Sequence, residues 1–307
     1  MIDYVNGMHH ITLISANLQK NYDFYTKVLG LQCVKRTVNH DDPTTTHIYY
    51  GDAIGSPGTL ITFFIIPGLK QGMGGQGAVT SMNLGIPKGS VSYWIKRLEK
   101  HDVVLDKTNK DDGKIRFSDP EGMHIRLQET KSKTKNYPEN SPVPKKHFMT
   151  HIVGFDYHSR KPEQTKLVLS EVLGFKLLSE GAGIEMYQAE NGHKEDYVKV
   201  IKNMNVPLGY RGSGSVHHVA FSVKDEKIQE DWRNKITKAG LRVSPITNRI
   251  YFKSIYFRGP GGILYEIATN GPGQQVTGDE IGPDLVLPDW LEDRREEIIN
   301  NLPEFKP

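Results

Sequence analysis

Gly7-Met8-His9-His10-Ile11-Thr12-Leu13 and Ser215-Val216-His217-His218-Val219-Ala220-Phe221 open two widely separated stretches of the chain in the same way. Each carries a His-His pair and then alternates apolar with small or polar residues, the pattern of a half-buried strand. Two further segments fit the same frame: Thr80-Ser81-Met82-Asn83-Leu84-Gly85-Ile86 and Thr150-His151-Ile152-Val153-Gly154-Phe155. An amphipathic stretch with helical spacing follows each opening, at 21–29, 91–100, 163–173 and 226–239. Strand-like runs then close each unit. Asp119-Pro120-Glu121-Gly122 and Gly259-Pro260-Gly261-Gly262 are turns that lead directly into apolar strands, and Ser56-Pro57-Gly58-Thr59 is a looser version. Val28-Leu29-Gly30-Leu31 returns as Val172-Leu173-Gly174-Phe175, a helix ending on glycine before a strand.

A fourfold repeat of this kind predicts an α+β fold of four βαβββ modules. One module cannot bury its concave face alone, so two side by side close a cup, and four make two open, cup-shaped barrels. Along the chain, modules one and two occupy 1–130 and modules three and four 147–270. A Pro-, Lys- and Asn-rich linker (131–146) separates them, and a tail (271–307) holds one short helix at 290–301. The run Gly72-Met73-Gly74-Gly75-Gln76-Gly77 lacks the Lys-Ser/Thr pair of a phosphate loop and reads as a flexible connection.

Composition narrows the function classes. A chain of 307 residues with a net charge of +3 and no basic stripe gives no reason to expect nucleic acid or an anionic membrane as partner. Lys131, Lys133, Lys135, Lys145 and Lys146 fall in the linker and read as solvated. The single cysteine, Cys33, excludes an internal disulfide framework and is expected to be a buried, inert thiol. The first residues lack a signal pattern, and no run approaches the ~18 apolar residues of a membrane span, so a cytoplasmic location is expected.

Ligands in such a cup come from the first and last strands of each module. At the last-strand position module four offers Glu266, module two Arg126 and module one Phe63. At the first-strand position the candidates are His218, His10, His151 and Asn83. The full set is therefore His218, Glu266 and one more histidine. Strand alternation favours His10, which shares its face with Thr12, over His151, which shares its face with Val153 and Phe155. His151 stays as the alternative. Two imidazoles and one carboxylate leave open positions of the kind that suit Fe(II) binding substrate and O₂ together, and Mn(II) is accepted by the same donors.

These motifs, with Asn21-Tyr22-Asp23-Phe24-Tyr25, Val34-Lys35-Arg36-Thr37-Val38-Asn39, Asp41-Asp42-Pro43, Tyr49-Tyr50-Gly51-Asp52, Ser254-Ile255-Tyr256-Phe257-Arg258 and Tyr265-Glu266-Ile267-Ala268-Thr269, resemble the vicinal oxygen chelate superfamily. Within it, the chain is similar to the ring-cleaving dioxygenases of hydroquinone and quinone breakdown. The resemblance implies Fe(II)-dependent insertion of both atoms of O₂ into a hydroquinone- or catechol-type diol. It implies that module one pairs with module four, and module two with module three. It makes His10, His218 and Glu266 the metal ligands, and places His9, Thr12, His217, Arg249 and Tyr256 around substrate. Arg249 would offset negative charge and Tyr256 would hydrogen-bond a substrate oxygen. His9 and His217 could relay protons only if a bulge turns them toward their neighbours, because adjacent strand residues face opposite ways. The partners implied are a small aromatic diol and O₂, with homo-oligomer formation left open. Two other readings share the fold. A glyoxalase-like isomerase or lyase would want a second carboxylate where Phe63 or Arg126 stands. A non-catalytic protein that sequesters aromatic compounds would not need the three ligands together.

Overall fold

The computed structural model describes residues 5–106, 113–271 and 281–307. Its strands and helices repeat in the order expected, except that module two shows two closing strands among the described residues where three were expected. Module one runs β1 (Met8–Ser15), α1 (Leu18–Tyr22), β2 (Gln32–Asn39), β3 (Asp42–Gly51) and β4 (Leu60–Ile65). Module two contributes β5 (Ala78–Pro87), α2 (Val91–Lys100), β6 (Lys114–Ser118) and β7 (His124–Thr130). Module three has β8 (Ile152–His158), α3 (Pro162–Leu167), β9 (Lys176–Gly181), β10 (Ile184–Gln188) and β11 (Tyr197–Ile201). Module four has β12 (Val216–Val223), α4 (Glu226–Lys238), β13 (Thr247–Asn248), β14 (Lys253–Arg258) and β15 (Leu264–Thr269). A last helix, α5 (Arg295–Asn301), lies in the tail.

The strands form two sheets, one in the order β13-β14-β15-β12-β1-β4-β3-β2 and the other β6-β7-β5-β8-β11-β10-β9. The first is built from the first and last quarters of the chain, and the second from the middle. At the centre of each, two module-opening strands pair antiparallel, and the closing strands flank them in parallel. Alternation decides what faces where. Ile11, Leu13, Val219, Phe221, Tyr265 and Ile267 are all at most 1% exposed and lie in the main apolar core. Full burial of each such side chain contributes about 1.5–3 kcal/mol. His10, Thr12, His218, Ala220 and Glu266 take the other face. This is the α+β architecture of two cups expected from the repeat, and the vicinal oxygen chelate fold that the resemblance implies. No helix among the described residues is long and apolar enough to cross a membrane.

The central pairings carry two bulges each, in matching places. Met8 faces Phe221, His10 faces Ala220, Thr12 faces His218 and Leu13 faces Val216, which leaves His9 and His217 as the extra residues. In the second sheet the same irregularities leave Thr80 and Val153 extra. Counting from the bulges sets the true equivalences between modules. His10 corresponds to Ser81, and His218 to Gly154 rather than to His151. At the last-strand position Glu266 corresponds to Lys199, Arg126 and Thr62. Phe63 is thus one residue out of register: it is fully buried in the core, and Thr62 occupies the inner face. Irregular loops hide a one-residue slip that repeat matching cannot see. Gly154, at φ +152°, runs so close to β11 that a Cβ would sit 1.7 Å from the Tyr197 carbonyl oxygen. Gly154→Ala is therefore expected to destabilise by more than the ~1–3 kcal/mol typical of overpacking, as read by urea unfolding.

Four other expectations need adjustment. The helices at 21–29 and 163–173 are each a short α-helix that widens into π-helical turns, Asp23–Val28 and Val168–Val172. The linker exposes its lysines as expected, yet it is docked: Val143 is fully buried and Ser141 Oγ donates to the Gly30 carbonyl at 2.6 Å. The glycine run is no loose connection either. It pairs along the segment before β12, with Gln71 bridging Ser213, Met73 bridging Tyr210 and Gln76 bridging Leu208. Close approach explains its glycines, since a Cβ on Gly75 would lie 2.3 Å from the Pro207 carbonyl. The tail begins as a 3₁₀ turn, Asp289–Arg294, before α5, and packs Leu287, Leu291 and Ile298 over Val38 of β2.

Candidate metal centre

One row across the first sheet assembles the centre. His10 on β1 lies opposite Ala220 on β12, Ala220 beside Glu266 on β15, and Glu266 opposite Tyr256 on β14. His218 stands two residues before Ala220 on the same face of β12. The alanine methyl in the middle of the row leaves the space into which the two imidazoles and the carboxylate converge. His10 Nε2 and His218 Nε2 are 3.1 Å apart, and Glu266 Oε2 is 3.4 Å from the first and 2.9 Å from the second. All three residues are buried, at 3%, 5% and 0% exposure. Cis ligands held about 2.1 Å from a cation in an octahedral shell are separated by about 3 Å. The donor spacing fits that shell.

Two further observations fit a cation. Glu266 Oε2 is buried without a hydrogen-bond partner, although Oε1 accepts from Ser254 Oγ. Burial alone would raise the Glu266 carboxyl, but the facing His10 and His218 outweigh it and hold it well below the usual carboxylate range. The other nitrogen of each inner histidine is also committed. His9 Nδ1 lies 2.9 Å from His10 Nδ1, and His217 Nδ1 lies 2.9 Å from His218 Nδ1. The bulges at His9 and His217 make these contacts between sequence neighbours geometrically accessible. Desolvation pulls His9 and His217 each down to about 3 and lowers His218 as well, so these three imidazoles are neutral at pH 7. With each inner histidine donating from Nδ1 to its neutral neighbour, its Nε2 lone pair is left for a metal.

A cavity of about 360 Å³ opens over the cluster, bounded by His10, His218, Arg249, Phe252 and Tyr256 among others. Arg249 Nε donates to the Tyr256 hydroxyl at 3.3 Å, and its Nη2 pairs with Asp41 at 3.0 Å. Burial and the Glu266 charge push the Tyr256 hydroxyl up, so it stays protonated. Since it accepts from Arg249, its own proton is available to a ligand. Thr12 lies deeper and is bonded sideways: its hydroxyl is 2.8 Å from Thr62 Oγ1, which is 3.0 Å from His47 Nε2. Tyr49 completes this chain at 2.9 Å from His47 Nδ1. Thr12 therefore supports the cavity wall, and the structure brings His9, His217, Arg249 and Tyr256 around the cluster. His151 is occupied elsewhere, bonded to Asp196 at 2.9 Å. Cys33 is buried, and burial pushes its thiol up to about 12.

Sequence reasoning missed His47, Tyr49, Phe252 and Ser254. Alternation could have found three of them. In β3, Thr45, His47 and Tyr49 alternate with the fully buried Thr46, Ile48 and Tyr50. In β14, Ser254 shares the face of Tyr256. Phe252 has no such signal, because it sits in a loop after Ile250, a non-glycine residue at φ +71°. The Ser254 contact leads to a prediction. Ser254→Ala removes the only hydrogen bond to Glu266 Oε1 given by the described residues. It is expected to weaken metal binding by roughly 10–100-fold, measured by competition with a fluorescent chelator.

The second sheet holds the opposite chemistry at the matching place. Asp156 accepts from Arg126 Nη2 at 2.9 Å, Lys199 Nζ at 3.2 Å and Asn83 Nδ2 at 2.9 Å. Gly154 has no side chain to offer where His218 stands. Two cations around one carboxylate exclude a metal from that cup.

Comparison with known proteins shows the family. MhqA of Bacillus subtilis (strain 168), named provisionally as a ring-cleaving dioxygenase, is 37% identical over 96% of this chain and 97% of its own. A chlorohydroquinone/hydroquinone 1,2-dioxygenase of Sphingobium indicum is 27% identical over 97% of this chain and 96% of its own. The crystal structure of a B. subtilis protein described provisionally as a dioxygenase superposes with a TM-score of 0.90 at 35% identity, covering 99% of this chain and 98% of that one. Residues 7–127 and 144–267 match the Glyoxalase/Bleomycin resistance protein/Dioxygenase superfamily. With all four modules matched, the chain belongs to that superfamily.

Proposed function

We propose that this protein is an Fe(II)-dependent ring-cleaving dioxygenase acting on a hydroquinone-type aromatic diol, with His10, His218 and Glu266 as the metal ligands. The observation that carries the reading is the convergence of those three donors, two of which, His10 and His218, line a cavity whose other polar groups include a protonated tyrosine and an arginine. The named activities of the relatives agree with it, and the hydroquinone 1,2-dioxygenase favours a 1,4-diol over a catechol. Mn(II) fits the same donors; dioxygen chemistry favours iron.

When bound, the metal supplies the centre at which a substrate oxygen and dioxygen meet. The chain's own groups do the rest. Tyr256 donates its proton to the substrate oxygen, and Arg249 stabilises the negative charge that develops there. Phe252, whose ring lies 5.4 Å from that of His10, packs against the ring of the substrate and keeps water out. His9 and His217 hold the inner imidazoles in one tautomer and position, and His217, its proton then on Nε2, lines the cavity as a hydrogen-bond donor. In the overall reaction the bond between a hydroxyl-bearing carbon and its ring neighbour breaks, as does the O–O bond. One carbon becomes a carboxylic acid and the other an aldehyde, so both oxygen atoms are kept. An isomerase of the glyoxalase kind is disfavoured, because Thr62, Arg126 and Lys199 offer no second carboxylate.

Anaerobic loading with Fe(II), followed by oxygen uptake with methylhydroquinone and with catechol, tests the reading. Uptake that is faster with methylhydroquinone is expected. No uptake with either diol at full metal occupancy would overturn it.

A further inference from the structure

A second cavity of about 330 Å³ lies behind the first, sharing His217, His218 and Leu264 with it. Its charged lining is Arg160, Arg211 and Arg258, and no carboxylate lines it. The three guanidiniums place their hydrogen bonds on backbone carbonyls. Arg160 Nε donates to Gln76 at 3.2 Å, Arg211 Nη2 to His217 at 3.3 Å and Arg258 Nη1 to Gly262 at 2.9 Å. None of the three has an acidic partner among the described residues. Elsewhere in this chain arginines that approach a cavity are neutralised: Arg249 by Asp41, Arg126 by Asp156. All three side chains are exposed at the cavity mouth, and partial desolvation, then the charge of Arg258, pull the Arg211 guanidinium below its ordinary value.

Forked guanidiniums with unspent N–H groups match the planar, two-oxygen geometry of a carboxylate. We propose that this cavity binds a small organic carboxylate, and that its ligand is the acid formed when the ring opens. The second half rests on the function proposed above. The chemistry separates substrate from product at this point. The diol enters neutral. Ring opening turns its hydroxyl-bearing carbon into a carboxylic acid, which gives its proton to water at neutral pH and leaves as an anion. A cationic cavity separated from the metal centre by the His217–His218 wall attracts the product and is indifferent to the substrate. It would thus draw the acid off the metal and clear the centre for the next diol.

Calorimetric titration of the metal-free protein with maleate, and with neutral maleamide as control, tests the site without calling on activity. Maleate is expected to bind, increasingly well as ionic strength falls, and maleamide is not. The double variant Arg211→Ala/Arg258→Ala is expected to lose roughly 10-fold or more in maleate affinity. Arg211→Lys/Arg258→Lys retains the charge and guards against misfolding, and should recover part of the loss. With the iron-loaded protein, the same Ala pair should strengthen inhibition of oxygen uptake by accumulated product, because the acid is no longer drawn off the metal. Absence of maleate binding, or equal binding in the Ala pair, overturns the site while leaving the proposed dioxygenase intact. Arginine-dependent maleate binding in a protein that opens no ring supports the anion site and overturns ring opening as the source of its ligand.

Discussion

Glu266→Gln is expected to empty the metal centre and cut turnover by at least roughly 10³-fold, more than the loss of one preorganised donor costs. The fold should survive. Glu266 is fully buried, and without a cation its charge is set against only two imidazoles and the Ser254 hydroxyl. An amide of the same shape keeps the packing but loses the pairing with His10 and His218 that holds the carboxyl low, so the metal-free variant should still unfold cooperatively, somewhat below metal-free wild type. Metal analysis after anaerobic loading and thermal unfolding of the metal-free proteins check the two halves together. A variant that retains iron would remove Glu266 from the ligand set. One that loses iron and shows no cooperative unfolding would assign the carboxylate a structural role.

Asp156→Ala is expected to do the reverse, destabilising the protein by about 3–5 kcal/mol while leaving the metal centre loaded. The aspartate is 5% exposed and holds Arg126 and Lys199 together, and its removal leaves two cations facing each other in the second cup. Arg126 Nε is already buried without a partner, so no spare acceptor waits to take its place. The pH dependence has a definite sign. Burial would raise the Asp156 carboxyl, but Arg126 and Lys199 outweigh it and hold it below the usual aspartate range. Its contribution is therefore complete above the unfolded-state value, about 3.9, and is lost as pH falls through the lower folded-state value. Wild type and variant should differ by a constant amount near neutrality and converge in acid, as read by urea unfolding across pH.

The two variants test a division of labour that is half legible in the amino-acid sequence. The repeat is readable because each module must bury one strand face, which prints a period of two on the chain at four places. Glu266 and His218 follow, since no other module offers a carboxylate there. What repeat matching cannot supply is register. Loops of unequal length and single-residue bulges both shift register without changing composition, so Phe63 stands in for Thr62 and His151 for Gly154. The same bulges are what turn His9 and His217 onto their neighbours, a condition that alternation alone forbids. Tyr49 and His47 are within reach of the strand pattern. The positions of Arg249 and Phe252 are not, because they depend on a loop whose path, through Ile250 at positive φ, is set by contacts and not by periodicity. The Gly72–Gly77 run misleads for a similar reason. Its glycines serve a backbone partner more than a hundred residues away, which local composition does not reveal.

Oxygen uptake alone does not separate ring opening from simple oxidation of the diol to a quinone, which also consumes O₂ and releases peroxide. The decisive measurement is mass spectrometry of the product formed by the iron-loaded protein from methylhydroquinone under ¹⁸O₂, quenched before the aldehyde oxygen exchanges with water. A ring-opened acid carrying both labelled atoms is expected, and is absent when Glu266→Gln is used. An unlabelled quinone with labelled peroxide, or a product carrying a single labelled atom, would contradict it.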